Sequence, residues 1–461
     1  MQRVLRPKSI GVSSLRMGSF FTVASVELGN TTTKAILVST NLRTAEIFEI
    51  EKEVRMTRDV RSPFPDEEIF GETVFGIPLT KESVSEMISD ILMSVLKKSN
   101  LSIEKDLHFV VRSTGVTAGF ANPHEVGAIV KALADGCLRA GIPPRKMTAA
   151  MTIDNLPPGL RDFTWLKKVY FDGAIASSLP PANTEIVANE MEGELVTAGL
   201  KGAVKGTDID FRNPVMTLDF GTTLAGRITD RGFPYAKTVG SFAGLAGAIP
   251  DAIIRGSGLA QSDLGCVLDI PPAKIVNRFE IDPANILNAH DHISVERIPE
   301  STSRYGTVPV NPKAAKESDV SLIGVDADLT KLEEFGKTFS EEHSVDYLHK
   351  VIDEIQAHLV ERILEVAESE NLIFDDTSLG LTGRGITTGT KPQLVGKNLK
   401  TRSGDLWTNS HQMVFVEDGL AMGAAVAARC MNSMGTTKHP MGGRKGDKCI
   451  MAERRKLQAK K

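Results

Sequence analysis

Apolar residues near the start of the chain alternate with polar ones or form short β-branched runs. This spacing predicts three consecutive antiparallel strands from Phe21 to about Ile50, in the segments FTVASVEL, KAILVST and AEIFEIE. Between Val84 and Leu96 the apolar residues recur at the 3.6-residue period of a helix, which Thr80 can cap. A strand at 107–111 and a helix at about 124–139 complete this half.

The same order of elements is predicted a second time. The segments VMTLDF (215–220) and LAGRIT (224–229) predict another hairpin. Further predictions are helices at about 241–255, at 345–368 and from 418 onward, and strands at 378–382 and 412–417. We interpret the two halves as a degenerate internal duplication that closes over a cleft. Residues 271–342 are polar and irregular, which indicates an inserted or mobile segment.

Composition adds that the chain is globular and has more than one domain. With 461 residues, the chain is too long for a single hydrophobic core, and its 41% of apolar residues are enough for the cores of two or three domains. No segment approaches the roughly 20 apolar residues of a membrane span. The four cysteines, Cys137, Cys266, Cys430 and Cys449, lie far apart without metal-ligand spacing. We therefore expect a cytoplasmic protein with reduced thiols and no membrane contact.

Charge is distributed unevenly. The last 27 residues, 435–461, hold nine Lys or Arg against two acids, whereas the whole chain has a net charge of -4. We expect a basic, flexible tail that can touch an acidic partner, and we do not expect nucleic-acid binding. Residues 1–20 hold four cationic and no acidic side chains and lack the apolar core of a secretory signal. They are expected to be a disordered extension, or to precede a native start at Met17.

Two polar turns point to a chemistry. Each half has a strand, an acidic residue and then a glycine followed by hydroxyl residues, in ELGNTTT (27–33) and DFGTT (219–223). Glycine lets the backbone approach a ligand, and successive N–H and hydroxyl groups can then bind an anion. Taken alone, either turn is more often structural. Their recurrence at equivalent places predicts two hairpins that grip the phosphates of a nucleotide.

At this point the sequence resembles the actin, heat-shock-chaperone and sugar-kinase ATPases, whose two lobes each begin with such a hairpin. The resemblance extends to three further segments: ANEMEGE (188–194) is similar to the first helix connecting the lobes, LGLTGRG (379–385) to the turn that receives adenosine, and DGLAMGAA (418–425) to the second connecting helix. It implies an α/β, two-lobed actin-like ATPase fold of duplicated ribonuclease-H-like domains, with an interlobe nucleotide cleft. The lobes would span 21–200 and 201–434.

The resemblance also implies roles for individual residues, with ATP or ADP and Mg²⁺ as cofactors. The phosphate contacts would come from Gly29, Asn30, Thr31, Thr32, Thr33, Lys34, Gly221, Thr222 and Thr223, and the adenosine contacts from Thr382, Gly383, Arg384 and Gly385. Glu27 and Asp219 would hold Mg²⁺ through water. Asp219 and Glu190 are the catalytic candidates, and Glu190 would orient the attacking water.

Two departures from the family pattern predict weak or slow turnover. Glu27 replaces the usual aspartate, so that its reach to the metal is one methylene longer. Arg384 replaces a small residue in the adenosine turn. It could stack on the base, pair with a phosphate or narrow the pocket.

Within the superfamily, GNTTTK together with DFGTT is more similar to the reactivating factors of cobalamin-dependent diol dehydratase and ethanolamine ammonia-lyase than to sugar kinases. The whole chain resembles the methanogenesis marker protein 14 family, including VVRSTGVTAGFANPHEVGAIVKALADGCLRAGIPP and LGLTGRGITTGTKPQLV. This implies an archaeal ATPase that activates or reactivates an enzyme of methanogenesis by acting on a protein client, and a homodimer is compatible with that role.

Other functions stay open at this point. A small-molecule kinase of the same fold would need a base, for which Asp154 is conceivable, although an Asp before Leu-Pro-Pro more often forms a turn. An actin-type assembly protein and a scaffold that does not hydrolyse nucleotide are further alternatives. An electron-transferring activator is disfavoured, because an iron–sulfur cluster needs several converging thiolates.

Overall fold

The structure is a computed structural model that describes most of the chain. The described residues are 4–116, 123–147, 150–152, 170–172, 174–176, 190–232, 236–260, 264–271, 280–317 and 319–434. In this part of the chain, no helix is both long and apolar enough to cross a membrane.

The first half contains eleven described strands and four described helices. The strands are β1 (Val4–Leu5), β2 (Lys8–Ser9), β3 (Phe20–Leu28), β4 (Thr32–Asn41), β5 (Ile47–Met56), β6 (Ile69–Glu72), β7 (Pro78–Thr80), β8 (Phe109–Thr114), β9 (Ala150–Thr152), β10 (Tyr170–Asp172) and β11 (Ala174–Ala176). The helices are α1 (Val12–Met17), α2 (Lys81–Ser99), α3 (Pro123–Arg139) and α4 (Glu190–Ala203).

The second half contains nine described strands and nine described helices. The strands are β12 (Val215–Phe220), β13 (Leu224–Thr229), β14 (Thr238–Gly244), β15 (Ile293–Arg297), β16 (Arg304–Tyr305), β17 (Val308–Pro309), β18 (Ser321–Ala327), β19 (Ser378–Thr382) and β20 (Met413–Val416). The helices are α5 (Ala248–Ser257), α6 (Pro283–His290), α7 (Pro312–Glu317), α8 (Leu329–Glu342), α9 (Val345–Ser369), α10 (Arg384–Thr387), α11 (Lys391–Asn398), α12 (Trp407–Ser410) and α13 (Gly419–Met434).

Two mixed sheets organise these elements and share one arrangement. The first has the order β11-β8-β3-β4-β5-β2, and the second β1-β20-β19-β12-β13-β14-β18-β15. Each sheet contains a three-stranded antiparallel meander whose first strand pairs in parallel with a strand from later in the chain, and that strand pairs in parallel with a further one. In the first sheet β3 pairs with β8, and β8 with β11; in the second β12 pairs with β19, and β19 with β20. The two glycine turns, β3 to β4 and β12 to β13, therefore occupy equivalent corners of the two sheets.

Local sequence explains the helix that covers the first sheet. The Thr80 side chain accepts a hydrogen bond from the Ser83 backbone, and the Ser83 side chain accepts one from the Thr80 backbone. At the other end of α2, Asn100 adopts the left-handed conformation. Val84, Ile88 and their apolar neighbours on the same face are buried against β3 and β4. This burial, more than helix propensity, stabilises α2.

One predicted helix is partly wrong. The region expected to be helical at about 241–255 begins as strand β14, and α5 starts only at Ala248. Residues 241–244 are SFAG, a short apolar run for which periodicity alone does not distinguish a buried strand from a helix. In the structure, β14 pairs with both β13 and β18, and this pairing decides the conformation.

The halves meet at two closely crossing helices, α4 and α13. A Cβ added at Gly199 would lie 1.8 Å from the carbonyl oxygen of Gly419, and one at Gly423 would lie 1.9 Å from that of Leu195. Only glycine permits this approach. The small residues of GLAMGAA thus serve a tight helix crossing, and an apolar cluster around Leu195, Leu200 and Leu420 surrounds it.

The expected disorder of residues 1–20 is corrected from residue 4 onward. Residues 4–9, here called the N-terminal strap, pair with both sheets: β1 lies parallel to β20, and β2 lies parallel to β5. The cations that suggested a disordered extension have acidic partners, since Arg6 Nε lies 2.6 Å from Glu417 and Arg16 Nη2 lies 2.7 Å from Asp106.

The segment 271–342 is also corrected where it is described. β18 lies inside the second sheet between β14 and β15, and α8 packs closely on α5. A Cβ at Gly256 would lie 1.8 Å from the carbonyl oxygen of Glu333. These elements are part of the second half, and the polar composition of the surrounding loops obscured them.

Removal of residues 1–9 should lower the stability of the protein. The deletion removes two parallel strand pairings and the Arg6–Glu417 ion pair, so we expect a loss of about 1–3 kcal/mol in the free energy of unfolding. Thermal melting measures it. Removal of residues 1–3 alone is the control, and equal melting temperatures for the two truncations would show that the strap does not hold the sheets together.

Candidate functional site

A cavity of about 540 Å³ lies where the two sheets face each other. Both glycine turns and the turn after β19 line it. The predicted site residues in its wall are Glu27, Gly29, Asn30, Thr32, Lys34, Asp219, Gly221, Thr222, Thr223, Thr382, Gly383 and Arg384. Thr31, Thr33 and Gly385 lie nearby but outside the wall.

The first turn is held rigid by its own side chains. Gly29 N donates to Thr32 O at 3.1 Å and closes the turn. The Asn30 amide donates to Gly115 O at 2.8 Å and accepts from Val74 N at 3.0 Å. The Asn30 side chain therefore fixes the turn, although the residue borders the cavity.

The three threonines of this turn have different positions. The Thr33 hydroxyl is fully buried and lies 3.0 Å from the Thr57 hydroxyl. Thr31 points to the other half of the protein, as described below. Of the three expected phosphate donors, only Thr32 lines the cavity.

The second turn is anchored to the start of α5. Gly247 N donates to Gly221 O at 2.7 Å, and the backbone of Thr222 accepts from Ala246 and Ala248 at 3.1 Å. Gly383, in the neighbouring turn, has φ +89°, and a Cβ there would lie 2.3 Å from Asp219 Oδ1. Glycine at 383 thus keeps space beside the Asp219 carboxylate.

A hydrogen-bonded network joins the two turns directly. The Thr31 and Thr222 hydroxyls lie 2.8 Å apart. Arg384 Nη2 donates to Thr31 Oγ1 at 3.1 Å and to Asp251 Oδ2 at 2.5 Å, and Nη1 lies 3.3 Å from Asp251 Oδ1. Burial alone would lower the pKa of Arg384, but the Asp251 carboxylate more than offsets this and raises it.

Charged groups line the cavity in pairs. Glu27 and Lys34 are opposite each other on β3 and β4, with Nζ 3.5 Å from the carboxylate, and Glu27 is the main cause of the raised pKa of Lys34. Lys52 contacts Asp418. Burial, and then the Glu27 carboxylate, raise the pKa of Asp219 to about 7.

The Asp219 pKa predicts a dependence of stability on pH. Because the folded-state pKa lies above the unfolded value of 3.8, the folded protein holds this proton more tightly. The resulting stabilisation is complete below the unfolded pKa and is lost as the pH rises through about 7, by up to about 1.4 kcal/mol per pH unit. Denaturant unfolding of ligand-free protein between pH 5 and 8 measures it. Asp219→Asn should flatten this slope, and an identical slope in the variant would contradict the assignment.

Several expectations lie outside the described part of the chain. Glu190 begins α4, but its side chain is not among those described, and Asp154 and the tail 435–461 also lie outside the described residues. The structure instead places Glu192, two residues further along α4, in the cavity wall.

Sequence reasoning missed Asp251, Lys52 and the role of Asp418. Asp251 is fully buried within AIPDAII, and a lone carboxylate in so apolar a helix was a usable signal. Asp418 is the first residue of the segment DGLAMGAA. It lies directly before α13 and has a left-handed φ of 54°. Lys52 on β5 carried no signal, because its partner is 366 residues away.

The donor set fits a polyphosphate with a hydrated cation better than a bare metal. Among the described side chains, no group of three or more His, Cys, Asp or Glu could hold a metal ion. Mg²⁺ usually keeps several waters and binds one or two carboxylates together with phosphates. Glu27 and Asp219 offer such carboxylates beside two glycine turns and Lys34.

Residues 20–458 match a protein family described as "Uncharacterized protein conserved in archaea (DUF2114)". The chain belongs to this family. Two DUF2114-related proteins come from methanogenic archaea. The uncharacterized protein MJ1451 of Methanocaldococcus jannaschii is 48% identical over 459 residues, covering 98% of this chain and 94% of the relative. An uncharacterized protein of Methanothermobacter thermautotrophicus is 49% identical over 463 residues, covering 98% and 86%. The expected relation to methanogen proteins is confirmed at the level of the family.

Solved structures are less similar. One is a reductive activator for corrinoid, iron–sulfur protein, with a TM-score of 0.39 and 11% identity over 96% of this chain and 63% of that one. Another is an exopolyphosphatase-like protein, with a TM-score of 0.24 and 10% identity over 49% and 51%. The chain spans less than two thirds of either, and scores this low carry no argument about function.

Proposed function

We propose that this DUF2114 protein is a two-lobed, actin-like ATPase that binds ATP or ADP with Mg²⁺ between its lobes. One observation carries the proposal: two glycine-hydroxyl turns, at equivalent corners of two sheets with the same strand order, meet across one cavity. Backbone N–H groups at such turns form anion sites. Two of them facing each other suit the several charges of a polyphosphate.

Different residues of the cavity would bind the phosphates, the Mg²⁺ and the adenosine. The turns at Gly29–Thr32 and Gly221–Thr223 would hold phosphates, assisted by Lys34. Asp219, with Glu27 at its side, would bind hydrated Mg²⁺, which supplies charge neutralisation for phosphoryl transfer. Thr382 and Gly383 line the part of the wall assigned to adenosine.

Slow hydrolysis is expected because the cations of the cavity already pair with carboxylates of the protein. Lys34 pairs with Glu27, and Arg384 pairs with Asp251, so each cation must be shared between a protein carboxylate and a ligand. Asp219 must also lose a proton whose pKa is raised to about 7 before it can attract Mg²⁺. Phosphoryl transfer depends on positioning and charge stabilisation, and both are weakened here.

The proposed role is to act on a protein client. Both turns lie at the junction of the two halves, so the number of phosphates between them would alter the Thr31–Thr222 contact and the relation of the lobes. The relatives in methanogenic archaea suggest a cytoplasmic setting and a client among the enzymes of methanogenesis, which the protein would activate or reactivate. A homodimer is compatible with this role.

Phosphate release from ATP tests the catalytic part of the proposal. Purified protein with Mg²⁺ should release phosphate slowly, and an extract of methanogen cells, corrected for its own ATPase activity, should accelerate release. Asp219→Asn should show neither the basal nor the stimulated rate. Phosphate release by wild-type and variant at equal rates would show that the activity does not arise in this cavity, and tight binding without release would favour a scaffold.

A further inference from the structure

Arg384 lies between the cavity and a buried carboxylate. Its side chain is 17% exposed and lines the cavity, whereas the Asp251 side chain behind it is fully buried. We propose that Asp251 is an internal counter-anion that competes with the ligand for Arg384, so that a phosphate in the cavity binds by drawing Arg384 away from Asp251. This inference rests on the proposed function, because it assigns a ligand phosphate to that cavity.

The chemistry of the pair permits such an exchange. A guanidinium presents five N–H donors in a planar fork, and carboxylates and phosphates both accept two of them. Arg384 uses its two Nη atoms to contact Asp251 and Thr31. A phosphate can therefore replace the carboxylate without a change in the type of interaction.

Asp251 retains partners when Arg384 turns away. Val267 N donates to Asp251 Oδ1 at 3.0 Å, and the Thr31 hydroxyl lies 3.4 Å from Oδ2. Asp251 is also fixed in place, since α5 begins at Ala248, whose N donates to the backbone of Thr222. The competing carboxylate thus has a defined position on the element that carries the second turn.

A second acid near Arg384 is engaged elsewhere. The carboxylate of Asp269 pairs with both Nη atoms of Arg58. Asp251 is accordingly the carboxylate that sets how readily Arg384 reaches a ligand.

The proposal predicts that removing one partner of the ion pair weakens ligand binding, whereas removing the other strengthens it. Arg384→Gln removes a phosphate contact, so we expect pyrophosphate and ADP to bind about 10-fold more weakly. Asp251→Asn removes the competitor and keeps an acceptor oxygen, so we expect both to bind about 5-fold more tightly. In the double variant, the Asp251→Asn change should alter affinity less than about 2-fold relative to Arg384→Gln alone.

Titration calorimetry with inorganic pyrophosphate and with ADP, each with Mg²⁺, tests this on the full chain. Asp106→Asn is the matched control, because Asp106 is buried, accepts two hydrogen bonds from Arg16, and neither residue lines the cavity. It should leave the affinities unchanged. Asp251→Ser, which also removes the carboxylate and leaves a smaller polar side chain, should tighten binding about 2-fold or more even if Asp251→Asn does not fold.

The outcomes separate this inference from the proposed function. Weaker binding in Asp251→Asn, or in Asp251→Ser, would overturn the competition and make Asp251 a support that positions Arg384 for the ligand. Binding that appears only in Asp251→Asn would support the competition. Absence of binding in the wild type and in all variants would overturn both this inference and the nucleotide assignment.

Discussion

Replacement of Gly29 by valine should abolish nucleotide binding while the protein stays folded. A Cβ at this position would lie 2.7 Å from the carbonyl oxygen of Thr32, the same atom that accepts the hydrogen bond closing the turn. The turn must therefore open, and its N–H groups lose their common direction. We expect the dissociation constant for ADP to rise at least about 100-fold, as for the loss of several charge-assisted hydrogen bonds. Calorimetry measures the affinity, and thermal melting verifies the fold.

Two other glycines calibrate this result. Gly127 on α3 is exposed, and a Cβ there meets nothing within 4 Å, so Gly127→Ala should leave affinity unchanged. At Gly221 the nearest atom is Thr223 O at 3.3 Å, so Gly221→Ala should reduce affinity less than Gly29→Val. Full affinity in Gly29→Val would show that the first turn does not hold the ligand.

Replacement of Asp219 by asparagine should remove Mg²⁺-dependent hydrolysis. Asp219 is the penultimate residue of the buried strand β12, and its carboxylate lines the cavity beside Gly383. Loss of one preorganised charged group in an active site typically costs about 100-fold or more in rate. We expect phosphate release to fall by that factor, while ADP without Mg²⁺ binds as well as before or better, because a negative charge has been removed.

The matched control for this variant is again Asp106→Asn. It removes a buried carboxylate of the first half that does not line the cavity. If both variants lost activity equally, the loss would follow from general destabilisation. Unchanged Mg²⁺-dependent release in Asp219→Asn would place the catalytic metal elsewhere.

The backbone frame was largely predictable from sequence because its strands are short apolar runs bounded by turn residues. The predicted strands VMTLDF, LAGRIT and SLGLT coincide with β12, β13 and β19. The long helix predicted at 345–368 is α9, Val345–Ser369. Errors arose where partners distant in sequence decide the structure: β14 is a strand because β13 and β18 flank it, and the N-terminal strap is ordered because β20 and β5 pair with it.

The sequence predicted many of the positions that line the cavity, but not the directions of all their side chains. The glycines of both turns lie in the cavity wall, as the motif required. The motif did not reveal that Asn30 and Thr33 stabilise the turn itself. Nor did it reveal Asp251, because the contact between Arg384 and α5 joins residues 133 positions apart. This ion pair forms only once the second half has folded and brought Arg384 next to α5.

The central claim is that the cavity between the two turns binds a nucleotide with Mg²⁺. Its most direct test is a calorimetric titration of the purified full chain with ATP and with ADP, each with and without Mg²⁺. We predict saturable binding of one nucleotide per chain that Mg²⁺ strengthens and that Gly29→Val eliminates. Heats indistinguishable from dilution for both nucleotides, in a protein shown to be folded, would contradict the account and leave the fold as an interaction scaffold.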